Sequence, residues 1–218
     1  MIDNFTIIWD WNGTLLDDVD ICIDTINALL SKYNKKTISK ESYKKMFTFP
    51  VQNYYSKLGF NTSTENFKKI AEEFISEYNS RLPSSQLFPG VKENLYYFSQ
   101  LGYTQTIISA MEQGILTKSV REKEIEGFFH SILGLSNNLA VSKAVVAKNF
   151  IENSNLNPKK TWFIGDTSHD FEVSQECGCN HVLIANGHQN YDKLTSITEA
   201  VVKNLNEVKG FIYNRLNS

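Results

Sequence analysis

The chain has 218 residues, 41% hydrophobic and 21% charged, a globular composition with room for one large domain or a core plus a small accessory unit. Its net charge is -2 with no basic block or stripe, which argues against nucleic acid as a partner. No apolar run reaches bilayer-spanning length, and the opening MIDNFTIIWDW has an acid in its apolar run and no basic leader, so no membrane partner is expected and the expected compartment is the cytoplasm.

In chain order, the first element is FTIIW (5–9), a short β-branched and aromatic run that reads as a buried strand. Residues 17–86 then show helical periodicity and no convincing strand. Val19, Cys22, Ile23, Ile26, Leu29 and Leu30 recur at helical spacing, as do Phe67, Ile70, Ala71, Phe74, Ile75 and Tyr78, with Lys68, Lys69, Glu72 and Glu73 on a solvated side. LPSSQLFPG (82–90) holds two prolines and two serines and reads as a hinge. Four more short runs read as buried strands: TQTII (104–108), SILGL (131–135), TWFIG (161–165) and HVLIA (181–185), with helical segments between most of them. This alternation predicts an α/β fold, a mostly parallel sheet covered on both faces as a Rossmann-like three-layer core, over residues 1–16 and 87–218, with an inserted all-helical unit over 17–86. Cys22, Cys177 and Cys179 are too few for a disulfide framework and lack zinc spacing, so they read as small core residues.

In an open parallel sheet, ligands bind beyond the carboxyl ends of the strands. The residues there are Asp10, Asn12, Gly13 and Thr14 after the first strand, Ser109 after the second and GDTSHD (165–170) after the fourth, with Lys143 opening a helical stretch between the third and fourth. Carboxylates at one crevice suit a hard cation such as Mg²⁺. Hydroxyls, a lysine and free backbone N–H groups suit the oxygens of a phosphoryl group, and a carboxylate beside the metal can attack phosphorus.

DWNGT (10–14), Ser109, Lys143 and GDTSHD (165–170) resemble the four ordered motifs of the haloacid dehalogenase (HAD) superfamily, and the helical insert resembles that family's cap. The subgroup it most resembles is phosphoglycolate phosphatase-like. The resemblance implies Asp10 as the nucleophile that becomes an aspartyl-phosphate and as a metal ligand. It implies Mg²⁺ held by Asp10, the backbone carbonyl of Asn12, Asp166 and, directly or one layer out, Asp170. Thr14 and Ser109 would bond phosphate oxygens, Lys143 would neutralise the phosphate and Asp10, and the substrate would be a small phosphorylated metabolite. Ala110 stands where such phosphatases often have asparagine.

One position departs from the pattern. Family phosphatases carry an aspartate where this chain has Asn12; that acid protonates the leaving oxygen and then activates water. An amide cannot exchange a proton at neutral pH, and general acid-base catalysis is worth ~10²–10⁴-fold, or roughly 3–5 kcal/mol of barrier. Four accounts are open. Substrates could have good leaving groups, such as acyl or aryl phosphates. His169 or His188 could supply the proton, although each reads as a loop-surface residue, while Asp17 and Asp18 read as helix caps. The chemistry could differ, with Lys44 or Lys45 as a phosphonatase-type Schiff base against their reading as a solvated face. Catalysis could be lost, leaving a phosphate-ligand-binding or partner-binding protein, the main alternative to a phosphatase. The Asn12-Gly13 pair is also open to deamidation, which would put a carboxylate at position 12. In the insert, MFTFPVQNYY (46–55) places Phe47, Phe49, Tyr54 and Tyr55 around a proline: either they pack the cap, or Phe49, Pro50 or Gln52 reaches the site.

Overall fold

A computed structural model describes residues 5–136 and 142–217. The strands are β1 (Thr6–Trp9), β2 (Leu16–Asp17), β3 (Gln86–Leu87), β4 (Thr104–Glu112), β5 (Ser131–Leu135), β6 (Thr161–Gly165), β7 (Asn180–Ile184) and β8 (Val201–Val202). Six of them form one parallel sheet in the order β5-β4-β1-β6-β7-β8. The five expected strands are all present within a residue of their expected starts, and β4 runs on to Glu112 across a register irregularity after Ile108. The chain leaves β1 for β4 and β5 on one side and returns to β6 on the other, so the switch point of the sheet lies beside β1.

The pleat explains the layers. Ile7 and Trp9 of β1, with Trp162 and Ile164 of β6, face one core, while Ile8 and Phe163 face the other. The helices α5 (Val91–Gln100), α6 (Gln113–Glu122) and α10 (Val208–Leu216) cover the first face through Leu95, Phe98, Leu116, Val120 and Ile212. The second face is covered by α7 (Lys143–Asn153) and α8 (Ser168–Glu176) through Ala147, Ile151 and Val173. A last short helix, α9 (Tyr191–Thr195), follows β7.

The insert is the helical cap: α1 (Val19–Lys32), α2 (Lys40–Met46), α3 (Val51–Lys57) and α4 (Thr64–Arg81). Its own centre is aromatic, with Tyr55 packing its ring against Phe60, Phe67 and Phe74 at 5.8, 5.8 and 6.3 Å. The expectation of no strand over 17–86 needs one correction. Asp17 and Gln86 belong to a two-residue antiparallel ladder, β2 with β3, that ties the two crossings between core and cap. Four residues in two pairs give too short a pattern to read from alternation. Cys22 and Cys179 are buried and Cys177 half-buried, all three free.

Candidate active site

The β1 ladder continues one residue past the strand, with Asp10 N–H bonded to Ile164 O at 2.8 Å, and this carries the Asp10 side chain to the carboxyl edge of the sheet beside Asp166, which follows β6. Carboxylate oxygens of Asp10, Asp166 and Asp170 lie within 4.8 Å of one another, and all three residues are buried. Lys143 is the first residue of α7, placed there by the Ser142 side chain accepting from Val145 N–H. Its ammonium bonds Asp10 Oδ1 and, at 2.6 Å, Asp170 Oδ1. Asp170 is also the reciprocal acid of the α8 capping box: its Oδ2 accepts from Asp166 N–H, Thr167 N–H and the Thr167 hydroxyl.

The charges do not balance. Burial pushes the Asp10 carboxyl up to about 8 despite Lys143, with Asp170 and Asp166 adding to the rise. Burial also raises Asp166 to about 6, with His188 opposing and Asp170 adding. Asp170 is lowered: burial opposes its charge, but Lys143 and Thr167 outweigh it. Lys143 is desolvated yet held firmly charged by Asp10 and Asp170. Three carboxylates against one ammonium leave a deficit of positive charge at this edge, the donor set and charge that a hard divalent cation fits.

Thr14 does not face the crevice. Its hydroxyl is fully buried and donates to Asp166 Oδ1 at 3.1 Å, so here it fixes an acid instead of meeting a phosphate. The His188 N–H holds the other Asp166 oxygen at 2.5 Å. Gly13 completes the turn: its φ is +71°, and a Cβ there would stand 2.3 Å from Asp166 Oδ2.

Asn12 is the hub of a buried polar network that sequence reading did not assemble. Its Nδ2 donates to Asp18 Oδ2 at 3.0 Å and to the Tyr78 hydroxyl at 2.7 Å, while Tyr78 itself donates to Asp18 Oδ2 at 2.7 Å. Asp18 Oδ1 accepts from Gly13 N–H at 2.9 Å and faces His188 Nε2 at 3.3 Å, and His188 Nδ1 lies 2.9 Å from the Tyr43 hydroxyl. A carboxylate only accepts, and Tyr78 spends its proton on Asp18, so the Asn12 nitrogen must face this pair. That leaves Oδ1 facing Ser109, whose hydroxyl is 3.4 Å away and also accepts from Met111 N–H.

Two expectations are therefore corrected. Asp18 stands at the N-cap of α1 but makes no side-chain cap bond, because its oxygens are taken by Asn12, Gly13, Tyr78 and His188. His188 is buried, not a surface loop residue: burial works against its charge, but Asp18 and then Asp166 raise it to about 9. His169 is half-buried, stacked on Phe49 at 4.7 Å, and burial lowers its pKa. The network also holds Gly13 N–H, the group that would attack the Asn12 side chain in deamidation, on Asp18 Oδ1 and Leu16 O.

Beyond these groups, core and cap enclose a cavity of about 400 Å³. Asp10, Asn12, Ser109, Ala110, Lys143, Asp166 and Asp170 line its floor, and Phe47, Phe49, Tyr54, Tyr55, Phe74 and Ile75 line its cap side. Of the three residues that could reach the site, Phe49 lines the cavity and Pro50 does not, and Phe47, Tyr54 and Tyr55, which pack the cap, line it as well. Gln52 is exposed and bonded to Thr62 O. Lys44 is half-buried, bonded to Asn186 O across the cap–core seam at 2.8 Å, and Lys45 is exposed; neither lines the cavity, which removes the support for a Schiff-base role. Tyr43, Lys44 and the Phe47 carbonyl, which accepts from Gln189 and Lys193, join the cap to the loop after β7.

Comparison with known proteins agrees with this fold. The family model of haloacid dehalogenase-like hydrolases matches residues 7–184. The chain belongs to this family. Within it, the chain is similar to a phosphoglycolate phosphatase of Synechococcus elongatus, 20% identical over 87% of this chain and 88% of the relative. The fold is that of a haloacid dehalogenase-like hydrolase from Streptococcus pneumoniae, with a TM-score of 0.82 at 20% identity, covering 97% of this chain and 100% of that one. It is also shared by protein tyrosine kinase A of Mycobacterium tuberculosis, with a TM-score of 0.79 at 18% identity, covering 96% and 98%. A fold shared by proteins named as a hydrolase and as a kinase does not choose the reaction; the residues at the sheet edge do. Among the described residues no helix is long and apolar enough to cross a membrane.

Proposed function

We propose that this hydrolase is a Mg²⁺-dependent phosphatase of small phosphorylated metabolites, phosphoglycolate phosphatase-like in type, that works through an aspartyl-phosphate on Asp10. The observation that carries the reading is Asp10 itself, facing the cavity with Lys143 on one oxygen and two further carboxylates close by. Mg²⁺ held by Asp10, Asp166 and the Asn12 carbonyl would neutralise phosphoryl charge and lower the barrier to attack. In this reading Asp10 displaces the ester oxygen from phosphorus, and water then hydrolyses the acyl phosphate. Lys143 offsets the charge that gathers on the equatorial oxygens, and Ser109 with nearby backbone N–H groups holds one of them. Asp170 acts one layer out, since its oxygens already take four donors, from Lys143 and the α8 turn, against two for Asp166. Thr14 and His188 N–H fix the direction of Asp166.

Residues 17–86 act in this account as a cap domain over a core of residues 1–16 and 87–218, closing the cavity around the substrate. Asn12, with both amide protons facing inward, orients water or substrate through Oδ1 but gives no proton to the leaving group. Initial rates of phosphate release from phosphoglycolate, a sugar phosphate and an aryl phosphate, with and without Mg²⁺, test the reading. Turnover that needs the cation supports it; no release from any of them, or release indifferent to chelation, overturns it.

A further inference from the structure

We propose that the ester cleaved here joins phosphate to an aromatic ring, and that the ring sits in the aromatic cavity under the cap and departs as a phenolate. This rests on the phosphatase reading and narrows it to a substrate class.

Three observations converge on it. First, Asn12 lines the cavity beside Asp10 at the position where the resemblance puts the proton-donating acid, and its two amide protons are spent on Asp18 and Tyr78, so it offers a departing oxygen no proton. An ester is cleaved well without proton transfer only when its leaving oxygen is weakly basic. A phenol ionises near pH ~10, whereas water, and aliphatic alcohols like it, ionise roughly six units higher. Second, the far wall is apolar: Phe47, Phe49, Phe74, Ile75, Met111 and Ile115. Among the described residues the only lysine lining the cavity is Lys143, already held by Asp10 and Asp170, and no arginine lines it. His188 lines the cavity as well, but Asp18 Oδ1 faces it at 3.3 Å, so a substrate carboxylate would be desolvated beside cations already paired, while a ring would gain burial and edge or face contacts. The volume, about 400 Å³, is at the lower end for small-molecule sites and suits one ring with its phosphate. Third, Tyr54 lines this cavity, is 3% exposed, and has a hydroxyl with no hydrogen-bond partner among the described residues. Burial raises its pKa, so it is a neutral phenol able to donate or accept. An unpartnered buried hydroxyl marks where a polar ring substituent of the ligand would bond.

The chemistry balances as hydrolysis. An Asp10 oxygen bonds to phosphorus as the phosphorus–aryl oxygen bond breaks. The electron pair of that bond leaves on the phenolate, which solvent protonates. Water then adds to phosphorus, the bond to Asp10 breaks, and one proton from that water passes to solvent or phosphate. The sum is aryl phosphate plus water giving a phenol plus inorganic phosphate.

The test compares kcat/KM, with Mg²⁺ present, for phenyl phosphate, 4-hydroxyphenyl phosphate, acetyl phosphate, phosphoglycolate and glycerol 3-phosphate. The expected result is that phenyl phosphate exceeds the two alkyl phosphates by ~10²–10⁴-fold, the range of the missing acid. Asn12→Asp should narrow that gap by raising the alkyl rates. Ala71→Trp, which narrows the cavity from α4, should raise KM for phenyl phosphate by about tenfold relative to acetyl phosphate, which carries no ring. Tyr54→Phe should raise KM for 4-hydroxyphenyl phosphate about threefold to tenfold more than for phenyl phosphate. Alkyl phosphates turned over as well as aryl ones overturn the inference while the phosphatase reading stands. So does acetyl phosphate turned over well with phenyl phosphate as poor as glycerol 3-phosphate, since that assigns the site to acyl leaving groups. No turnover of any ester overturns both.

Discussion

The two ends of the crevice are built on different principles. At the phosphorus end, Asp10, Asp166, Asp170 and Lys143 are ionisable, buried and clustered, and each is delivered by a strand end or the first turn of a helix. At the leaving-group end, Asn12, Asp18, Tyr78, His188 and Tyr43 also line the cavity but satisfy one another, and much of the remaining wall is aromatic. The first end gathers carboxylates that suit a cation; the second spends its polar groups on one another. A site so divided suits chemistry in which phosphorus needs activating and the leaving group does not.

The sharpest way to break this comparison is at Asp10. Asp10→Asn should cut phosphate release by at least ~10³-fold with any ester, because a nucleophile is lost and no neighbouring group replaces it; quenched-flow or steady-state release measures it. Next is Lys143→Met. It removes the partner of two buried carboxylates, so stability in urea should fall by about 3–5 kcal/mol, and kcat should fall by ~10²–10³-fold. Divalent cation should recover part of that stability by taking over the counter-charge.

At the other end Tyr78→Phe should cost about 1–3 kcal/mol, since Asp18 keeps its buried charge with one donor fewer. Its effect on aryl phosphate turnover should be far smaller than that of Lys143→Met; a comparable loss in kcat would show that the network takes part in the reaction.

A further effect is on pH. His188 is raised from 6.5 to about 9 in the folded chain: burial opposes the charge, but Asp18 and Asp166 prevail. A raised histidine stabilises the fold fully below its unfolded pKa, and that contribution is lost as pH rises through the folded value. Urea midpoints should therefore fall between pH 6.5 and about 9, and His188→Gln should flatten that fall.

How much of this was legible in the sequence follows from the same division. Asp10, Asp166 and Lys143 could be read because strand ends and short motifs place them with little help from the rest of the chain. The parallel sheet was legible for a similar reason: five β-branched runs between helical patterns leave few arrangements. The network around Asn12 was not legible. Tyr78 lies 66 residues from Asn12, and Tyr43 lies 145 from His188, so only the packing of cap on core brings them together. Local rules even pointed the wrong way at Asp18, where an acid before a helix reads as a cap but its oxygens serve the turn after β1. Thr14 was placed correctly along the chain but not in direction, since only the fold shows its hydroxyl turned to Asp166.

The central claim is that phosphorus passes through Asp10, and trapping tests it most directly. The protein turning over phenyl phosphate with Mg²⁺ is quenched in acid within one turnover, digested with pepsin, and its peptides are weighed. The account predicts one phosphoryl group on the peptide holding Asp10, absent from Asp10→Asn and lost on incubation with hydroxylamine. A phosphoryl group on another residue, or undiminished turnover by Asp10→Asn, would contradict it.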